Sequence, residues 1–305
     1  MTTGGGRRVS IYDAAGANRL RTVVLIAAFT LVVAALGYVA GEYSVPGGGV
    51  ALLPFALGLS ALSAAGSYFA GDKVVLGISR ARLLAPGEEP VLRNVVEALC
   101  IGSGLPVPRL YLIDDTAPNA FATGRDPAHA SIAVTRGLLQ KLDRTELEGV
   151  LAHELAHIGN RDIRVMVLVV VLVGTVALLA DWLMRSIWWG GRRGRDRDRG
   201  GAFTLVALAL AAVTPLIASL IQLAVSRQRE YLADATGALL TRYPPGLASA
   251  LRKIAADREV LEVANKVTAS LYIANPLKDR PAWLDGLFDT HPPIAERIRR
   301  LEAMG

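Results

Sequence analysis

His153-Glu154-Leu155-Ala156-His157 places two histidines four residues apart, with a glutamate directly after the first. At 3.6 residues per helical turn, positions four apart lie on one face, so both imidazoles can bind one zinc ion through a ring nitrogen. Glu154 lies one step further round the helix. From there its carboxylate can act as a general base toward water at the metal without binding the metal itself. The stretch therefore predicts a helix that carries the catalytic centre of a metalloprotease.

The residues around this stretch also favour a helix. Asp143 can cap its amino terminus, with Glu146 three residues later completing a capping box. The alternative is an ordinary helix with two surface histidines, but the chain has only four histidines and two of them form this pair. Apolar residues recur at helical spacing at Leu142, Leu147, Val150, Leu151, Leu155 and Ile158.

The composition indicates a membrane protein. The chain has 305 residues, of which 52% are hydrophobic, and its mean hydropathy of +0.38 is high for a soluble domain. Cys100 is the single cysteine, which excludes an intramolecular disulfide and a cysteine-rich zinc site and leaves histidine and carboxylate as ligands. The net charge of +6 is concentrated beside apolar segments, as arginine flanks membrane spans, and no aromatic-basic motif predicts a nucleic-acid partner.

Two uncharged runs near the amino terminus, 22–41 and 50–71, are each long enough to cross a hydrocarbon core of about 30 Å. The length of the first run, with a second close behind it, disfavours a cleavable signal peptide. A second apolar pair follows the histidine motif and is less regular, because Asp181 interrupts its first member. The sequence thus predicts four parts: a tail and transmembrane hairpin (1–71), a catalytic region (72–162), a second apolar hairpin (163–226, spans about 163–183 and 203–226, with an arginine-rich loop 184–202) and a helical carboxy-terminal region (227–305).

The arginine distribution predicts the orientation. The tail carries Arg7, Arg8, Arg19 and Arg21, whereas the first loop has no lysine or arginine, so the tail and the catalytic region should face the cytoplasm. The loop 184–202 contains six arginines against two aspartates, and full crossing of the second pair would place it outside. A shallow or re-entrant hairpin removes this conflict. In both cases the region 227–305 is predicted to be cytoplasmic.

The third metal ligand has to come from elsewhere in the chain. A catalytic zinc usually has three protein ligands and an open position for water. The extended motif would have glycine and histidine at the positions of Asn160 and Ile163, so a distant carboxylate is expected instead. Glu230, directly after the fourth apolar segment, is favoured by position, and Asp234 lies on the same helix face. By spacing alone, the competing candidates are Glu259, Glu262 and Glu296.

Four segments in a fixed order, with the second apolar hairpin between the second and the third, carry a family resemblance. They are Pro118–Gly124, His153–Asp162, Arg229–Asp234 and His291–Pro293. Together with the amino-terminal hairpin, this order resembles the HtpX family of bacterial membrane zinc metalloproteases, which are related to the eukaryotic CAAX prenyl endoproteases. The resemblance covers nearly the whole chain, except the arginine-rich loop and the glycine-rich amino terminus.

The resemblance implies a role for each matching residue. His153, His157 and Glu230 would bind Zn²⁺, Glu154 would be the general base, and Asp234 would accept a hydrogen bond from a ligating histidine. It also implies that Asn119 holds substrate backbone or the developing oxyanion. His291 would face the metal and donate to the tetrahedral intermediate, with Arg297 assisting. Asn160 and Asp162 would support the motif.

Several of these residues have simpler interpretations. Asn119 follows a proline in a polar stretch and can be part of a turn. His291, followed by two prolines, can merely open a last helix over 294–304. The carboxylate Glu230 can belong to a solvated helix end. Strand-like alternation at 109–114 and 131–135 nevertheless predicts a small sheet, with an edge strand near Asn119 that can pair with an extended substrate.

Sequence and resemblance together predict a mainly α membrane protein, with helical transmembrane segments and a gluzincin-like cytoplasmic zinc protease domain containing a small β-sheet. The expected function is cleavage of membrane proteins, particularly damaged or misfolded ones, in quality control and stress response at the bacterial plasma (inner) membrane. Its expected partners are polypeptide substrates and the lipid bilayer, and the sequence does not indicate an oligomeric state. The alternatives are a maturation protease for peptide or lipidated tails, a membrane transporter or zinc sensor using Asp181, and a scaffold with a structural zinc.

Overall fold

The computed structural model describes residues 11–191, 227–264, 268–276 and 292–305. Most of these residues are helical, which confirms the predicted fold class of a mainly α protein with a small sheet. The helices are α1 (Ile11–Ser44), α2 (Gly48–Ile78), α3 (Pro90–Ser103), α4 (Arg136–Lys141), α5 (Arg144–Gly159), α6 (Asp162–Gly191), α7 (Arg227–Thr241), α8 (Pro244–Ala256) and α9 (Ile294–Glu302). The strands are β1 (Arg82–Leu83), β2 (Arg109–Ile113), β3 (Ala120–Gly124) and β4 (Ala130–Thr135).

Three of these helices are long and apolar enough to cross a membrane, over Leu20–Glu42, Gly48–Ile78 and Asp162–Leu179. α1 and α2 form a hairpin that needs glycine at its turn, since a Cβ on Gly41 would lie 2.3 Å from the Gly48 carbonyl oxygen. α6 packs against this hairpin through a shared apolar cluster that includes Leu25, Phe29 and Leu172. The expected fourth span, 203–226, lies outside the described residues.

α6 continues to Gly191, beyond the boundary at 183 that the sequence predicted. Asp181 does not end the helix, because Arg185 one turn later donates to its carboxylate across 2.8 Å. Such a pair offsets the charge that interrupts the apolar run. The rest of the predicted arginine-rich loop, 192–202, lies outside the described residues.

The sheet has the order β1-β2-β4-β3. β2 runs parallel to β4, whereas β1 and β3 are antiparallel to their neighbours. β2 and β4 cover the two predicted alternating segments, and β3 is the expected edge strand beside Asn119. All five residues of β3 are buried, which explains why its sequence lacks a polar alternation.

α5 lies at the centre of the catalytic region and packs against β3, α3, α7 and α8. Its residues from Gly149 to Ile158 are all buried, so it has no polar stripe. The predicted capping box is confirmed: Asp143 accepts from the Glu146 N–H, and the Glu146 carboxylate accepts from the Asp143 N–H. The same carboxylate accepts from Lys253 of α8 at 2.6 Å and thereby joins α8 to the start of α5.

Close contact between α5 and α8 depends on Gly149, because a Cβ there would lie 2.6 Å from the Leu247 backbone nitrogen. We expect Gly149→Ala to destabilise the protein by about 1–3 kcal/mol, since the two backbones would have to separate. Thermal unfolding in detergent measures the effect. Gly102→Ala is the control: its Cβ would meet only a flexible leucine at 3.5 Å, and alanine favours the helix. Equal stability of the two variants would contradict the packing argument.

Candidate active site

α5 presents His153 and His157 on one face, as the four-residue spacing requires. Their Nε2 atoms lie 3.1 Å apart, and the rings are perpendicular. Both side chains are buried, so neither is a surface histidine on an ordinary helix. The imidazole nitrogens therefore converge on one point inside the protein.

α7 brings Glu230 to the same point. Its Oε1 lies 3.5 Å from His157 Nε2, and its Oε2 lies 3.8 Å from His153 Nε2. One ligand atom from each of the three residues falls within 4.8 Å of the others, so the group could hold a metal ion. α7 comes this close because residue 237 is glycine, where a Cβ would lie 3.0 Å from the His153 backbone nitrogen.

The three other carboxylates named as candidates from spacing are placed elsewhere. Glu262 is exposed, and its backbone N–H donates to Asp115 at 3.0 Å. Glu259 is an exposed partner of Lys141, at 3.2 Å. Glu296 pairs with Arg299 and Arg300 on its own helix. Among the described residues, Glu230 is the carboxylate that joins the two histidines.

Each histidine is held from behind by a second carboxylate. Nδ1 of His153 lies 2.9 Å from Asp234, and Nδ1 of His157 lies 3.1 Å from Asp162. A carboxylate at Nδ1 keeps the proton there and leaves the Nε2 lone pair for a metal. Two Nε2 atoms and one carboxylate oxygen match the donors that zinc takes in catalytic sites. The residues present therefore fit a zinc ion.

The two histidines have opposite pKa shifts. Burial lowers the pKa of His153 to about 4, despite its hydrogen bond to Asp234. Burial also acts to lower the pKa of His157, but the hydrogen bond to Asp162 and the negative charge of Glu230 raise it to about 9. The carboxylates that favour a proton on His157 also favour a divalent cation beside it.

Glu154, the predicted base, is buried on the adjoining side of α5. Burial raises its pKa to about 7. The charge of His157 acts to lower this pKa, and the charge of Glu230 acts to raise it. The Ala122 backbone of β3 lies near this carboxylate and acts to lower the same pKa. A pKa near neutrality suits a group that must both accept and return a proton.

Arg297 of α9 is fully buried behind the ligands. It donates from Nε and Nη2 to the two Asp234 oxygens, at 2.9 and 2.7 Å, and from Nη1 to the Ile273 carbonyl. Burial acts to raise the pKa of Asp234, but the charge of Arg297 and the hydrogen bond to His153 lower it to about 2. Arg297 also lies 3.7 Å from Glu230 Oε2.

Asn119 precedes β3, and its side chain is engaged within the protein. Its Nδ2 donates to the Ala274 carbonyl at 3.1 Å, and its Oδ1 accepts from the Ala120 N–H. The backbone N–H of Asn119 donates to Thr135. These bonds fix the amide at the start of the edge strand. His291 lies outside the described residues, so its role stays a prediction.

From the sequence, Asp162 is expected only to support the motif, whereas the structure gives it a specific contact with His157. The signal was its position five residues after a ligand candidate, at the first residue of the next helix. The proximity of the Ala122 backbone to Glu154 left no signal, because nearly every residue carries the same backbone group.

Fold and site together define a membrane metalloprotease. Residues 86–305 match the model for peptidase family M48, and the chain belongs to this family. It is 45% identical over 296 residues to a protease HtpX homolog of Tropheryma whipplei, and this match covers 97% of this chain and 99% of the relative. It is 44% identical over 299 residues to a protease HtpX homolog of Dictyoglomus thermophilum, and this match covers 97% of this chain and 95% of the relative. These matches confirm the predicted HtpX resemblance and the prediction of an enzyme over a transporter or sensor.

A solved structure, that of Ste24p from S. mikatae, is also similar. It matches with a TM-score of 0.49 and 21% identity, covering 80% of this chain and 57% of that chain.

We expect Asp162→Asn to weaken zinc binding about 10- to 100-fold, because the Nδ1 proton of His157 loses its carboxylate. Competition with a chromogenic chelator measures the affinity in the purified full chain. Asp181→Asn is the matched control on the same helix, since Asp181 is exposed and pairs only with Arg185 among the contacts described. Unchanged affinity in Asp162→Asn would contradict an orienting role.

Proposed function

We infer that this protease is a zinc endopeptidase that cleaves membrane proteins, particularly damaged or misfolded ones, at the cytoplasmic face of the bacterial plasma membrane. The observation that carries the proposal is the junction of α5 with α6. The ligand candidate His157 lies two residues before the end of α5, and its partner Asp162 is the first residue of a candidate membrane span. A catalytic site beside the start of a membrane span suits substrate segments that leave the bilayer.

His153, His157 and Glu230 would hold the zinc. When bound, Zn²⁺ polarises the scissile carbonyl and lowers the pKa of water from 15.7 toward ~7. Glu154 accepts the proton of the attacking water and returns it to the departing amine. Because burial raises the pKa of this carboxylate to about 7, it can both accept and return a proton near neutral pH. Asp234 and Asp162 keep the histidines oriented throughout.

The outer edge of β3 offers a place for an extended substrate. The Ile273 N–H donates to the Ala120 carbonyl at 2.9 Å on this edge, and the Ala122 backbone lies near Glu154. A peptide that adds to the strand beyond Ala120 would therefore lie beside the base.

Three further roles complete this proposal. Asn119 Nδ2 has a second hydrogen besides the one given to Ala274, and we assign it to substrate backbone or the developing oxyanion. We assign His291 to donation to the tetrahedral intermediate, with Arg297 assisting. The position of Arg297 beside Glu230 supports a role close to the metal.

We expect Glu154→Gln to lower the proteolytic rate at least 100-fold while zinc stays bound, because the amide cannot accept the proton. Cleavage of a denatured membrane protein and metal content by mass spectrometry are measured on the same sample. Glu148→Gln, on the same helix but outside the site, should retain activity. Unchanged proteolysis in Glu154→Gln would refute the assignment. Preference for prenylated peptides over denatured membrane proteins would instead favour a maturation protease.

The orientation is tested by labelling. In a Cys100→Ala background, we expect a cysteine at exposed Ala255 to react with an impermeant maleimide only from the cytoplasmic side, since the tail arginines favour that orientation. Labelling from outside in intact cells would contradict it. A cysteine in place of Gly194, in the same background, tests whether the second hairpin crosses the membrane. Labelling from outside means that both of its segments span the membrane.

A further inference from the structure

A pocket of about 400 Å³ lies away from the metal site, between the end of α2 and the connection from β3 to β4. Its polar lining consists of Asp72, Lys73, Arg109, Arg125 and His129. We call it the juxtamembrane pocket. Neither the hydrolytic mechanism nor the proposed substrate strand uses these side chains.

The pocket lies where the membrane-crossing part of α2 ends. Residues 50–71 are uncharged, and Asp72 and Lys73 are the first charges that follow. α2 and α6 touch at this level, because a Cβ on Gly71 would lie 2.5 Å from the Val167 side chain. Arg164, one turn earlier on α6, therefore lies at about the same depth relative to the membrane as Asp72 and Lys73. Tyr68, one turn before Asp72, is an aromatic residue of the kind found at membrane interfaces.

Positive charge exceeds negative charge around this pocket. Asp72 pairs with Arg109 at 3.0 Å, and Asp126 lies 3.6 Å from Arg125 and 2.7 Å from His129. Two more cations, Lys73 and Arg164, have no carboxylate within ion-pair distance in the part of the chain that the structure describes. The cluster thus has two cations more than carboxylates, before any charge on His129.

The arginines are also held in place by aromatic rings and backbone. The Arg125 guanidinium lies 5.8 Å from the Phe69 ring centroid, and that of Arg164 lies 5.5 Å from the Tyr68 ring. Arg164 Nε donates to the Arg125 carbonyl at 2.8 Å. Phe69 is 64% exposed, so it offers an apolar surface beside the cations. A pocket with ordered cations and an adjacent apolar surface matches a ligand that is both anionic and lipidic.

We propose that the juxtamembrane pocket binds the phosphate headgroup of an anionic phospholipid. Basic residues next to the end of a membrane span attract such headgroups, and arginine donates well to phosphate oxygens. The exposed Phe69 ring would contact the acyl chains. The net positive charge favours a lipid with net negative charge, such as phosphatidylglycerol, over zwitterionic phosphatidylcholine.

Thermal unfolding of the purified full chain, followed by intrinsic tryptophan fluorescence in neutral detergent, tests this proposal. We expect phosphatidylglycerol to raise Tm in a saturable manner, and phosphatidylcholine with the same acyl chains to have a much smaller effect. The double variant Lys73→Gln/Arg125→Gln should need about tenfold more phosphatidylglycerol for the same shift. Arg258→Gln, which removes an exposed arginine outside the pocket, should respond like the unmodified chain.

Three outcomes would overturn the proposal. An equal shift with phosphatidylcholine would show that net lipid charge is not recognised. An unchanged response of the double variant would place the binding elsewhere. The same shift with inorganic phosphate alone would assign the pocket to a free anion instead of a lipid. Because the comparison between lipids uses the unmodified chain, it decides the first point even if the double variant is unstable.

Discussion

The structure depends on the burial of polar residues in the part of α5, residues 149–158, that is entirely buried. His153, Glu154 and His157 are buried on α5, together with apolar neighbours on every side. Buried polar groups are costly unless they find partners, and a buried charge is more costly still. The surrounding elements therefore supply partners: Glu230 and Asp234 from α7, Asp162 from α6, and the Ala122 backbone from β3.

These partners also link the site to the rest of the molecule. Arg297 connects α9 to α7 through Asp234. It also connects α9 to the segment 268–276 through the Ile273 carbonyl. Asp162 connects the site to the membrane helix α6, and Arg229 lies 3.5 Å from the other Asp162 oxygen. One carboxylate therefore holds a ligand candidate on one side and faces a buried arginine on the other. The positions of α6 and α7 relative to α5 are consequently fixed by charge as well as by apolar packing.

The sequence predicted a feature well where the residues that produce it lie close together in the chain, and poorly where they do not. The capping box of α5 and the alignment of His153 with His157 involve neighbours within one helical turn, so they were readable from spacing. The extent of α6 was harder, because the Asp181–Arg185 pair lets a helix pass through what resembles a loop. β3 gave little signal, since a strand buried on both faces lacks alternation.

The sequence by itself determined the chemistry: two imidazoles and a carboxylate base on one helix, next to segments apolar enough for a membrane. It left several carboxylates as possible third ligands, because spacing contains no information about which distant helix will pack against α5. Position and resemblance favoured Glu230, and the tertiary structure brings it to the two histidines through close approach of two backbones at Gly237. It also gave Asp162 its contact with His157 and Ala122 its contact with Glu154. The Asp162 contact depends on how the chain turns between α5 and α6, and the Ala122 contact involves a backbone group, so neither follows from residue types and spacing alone.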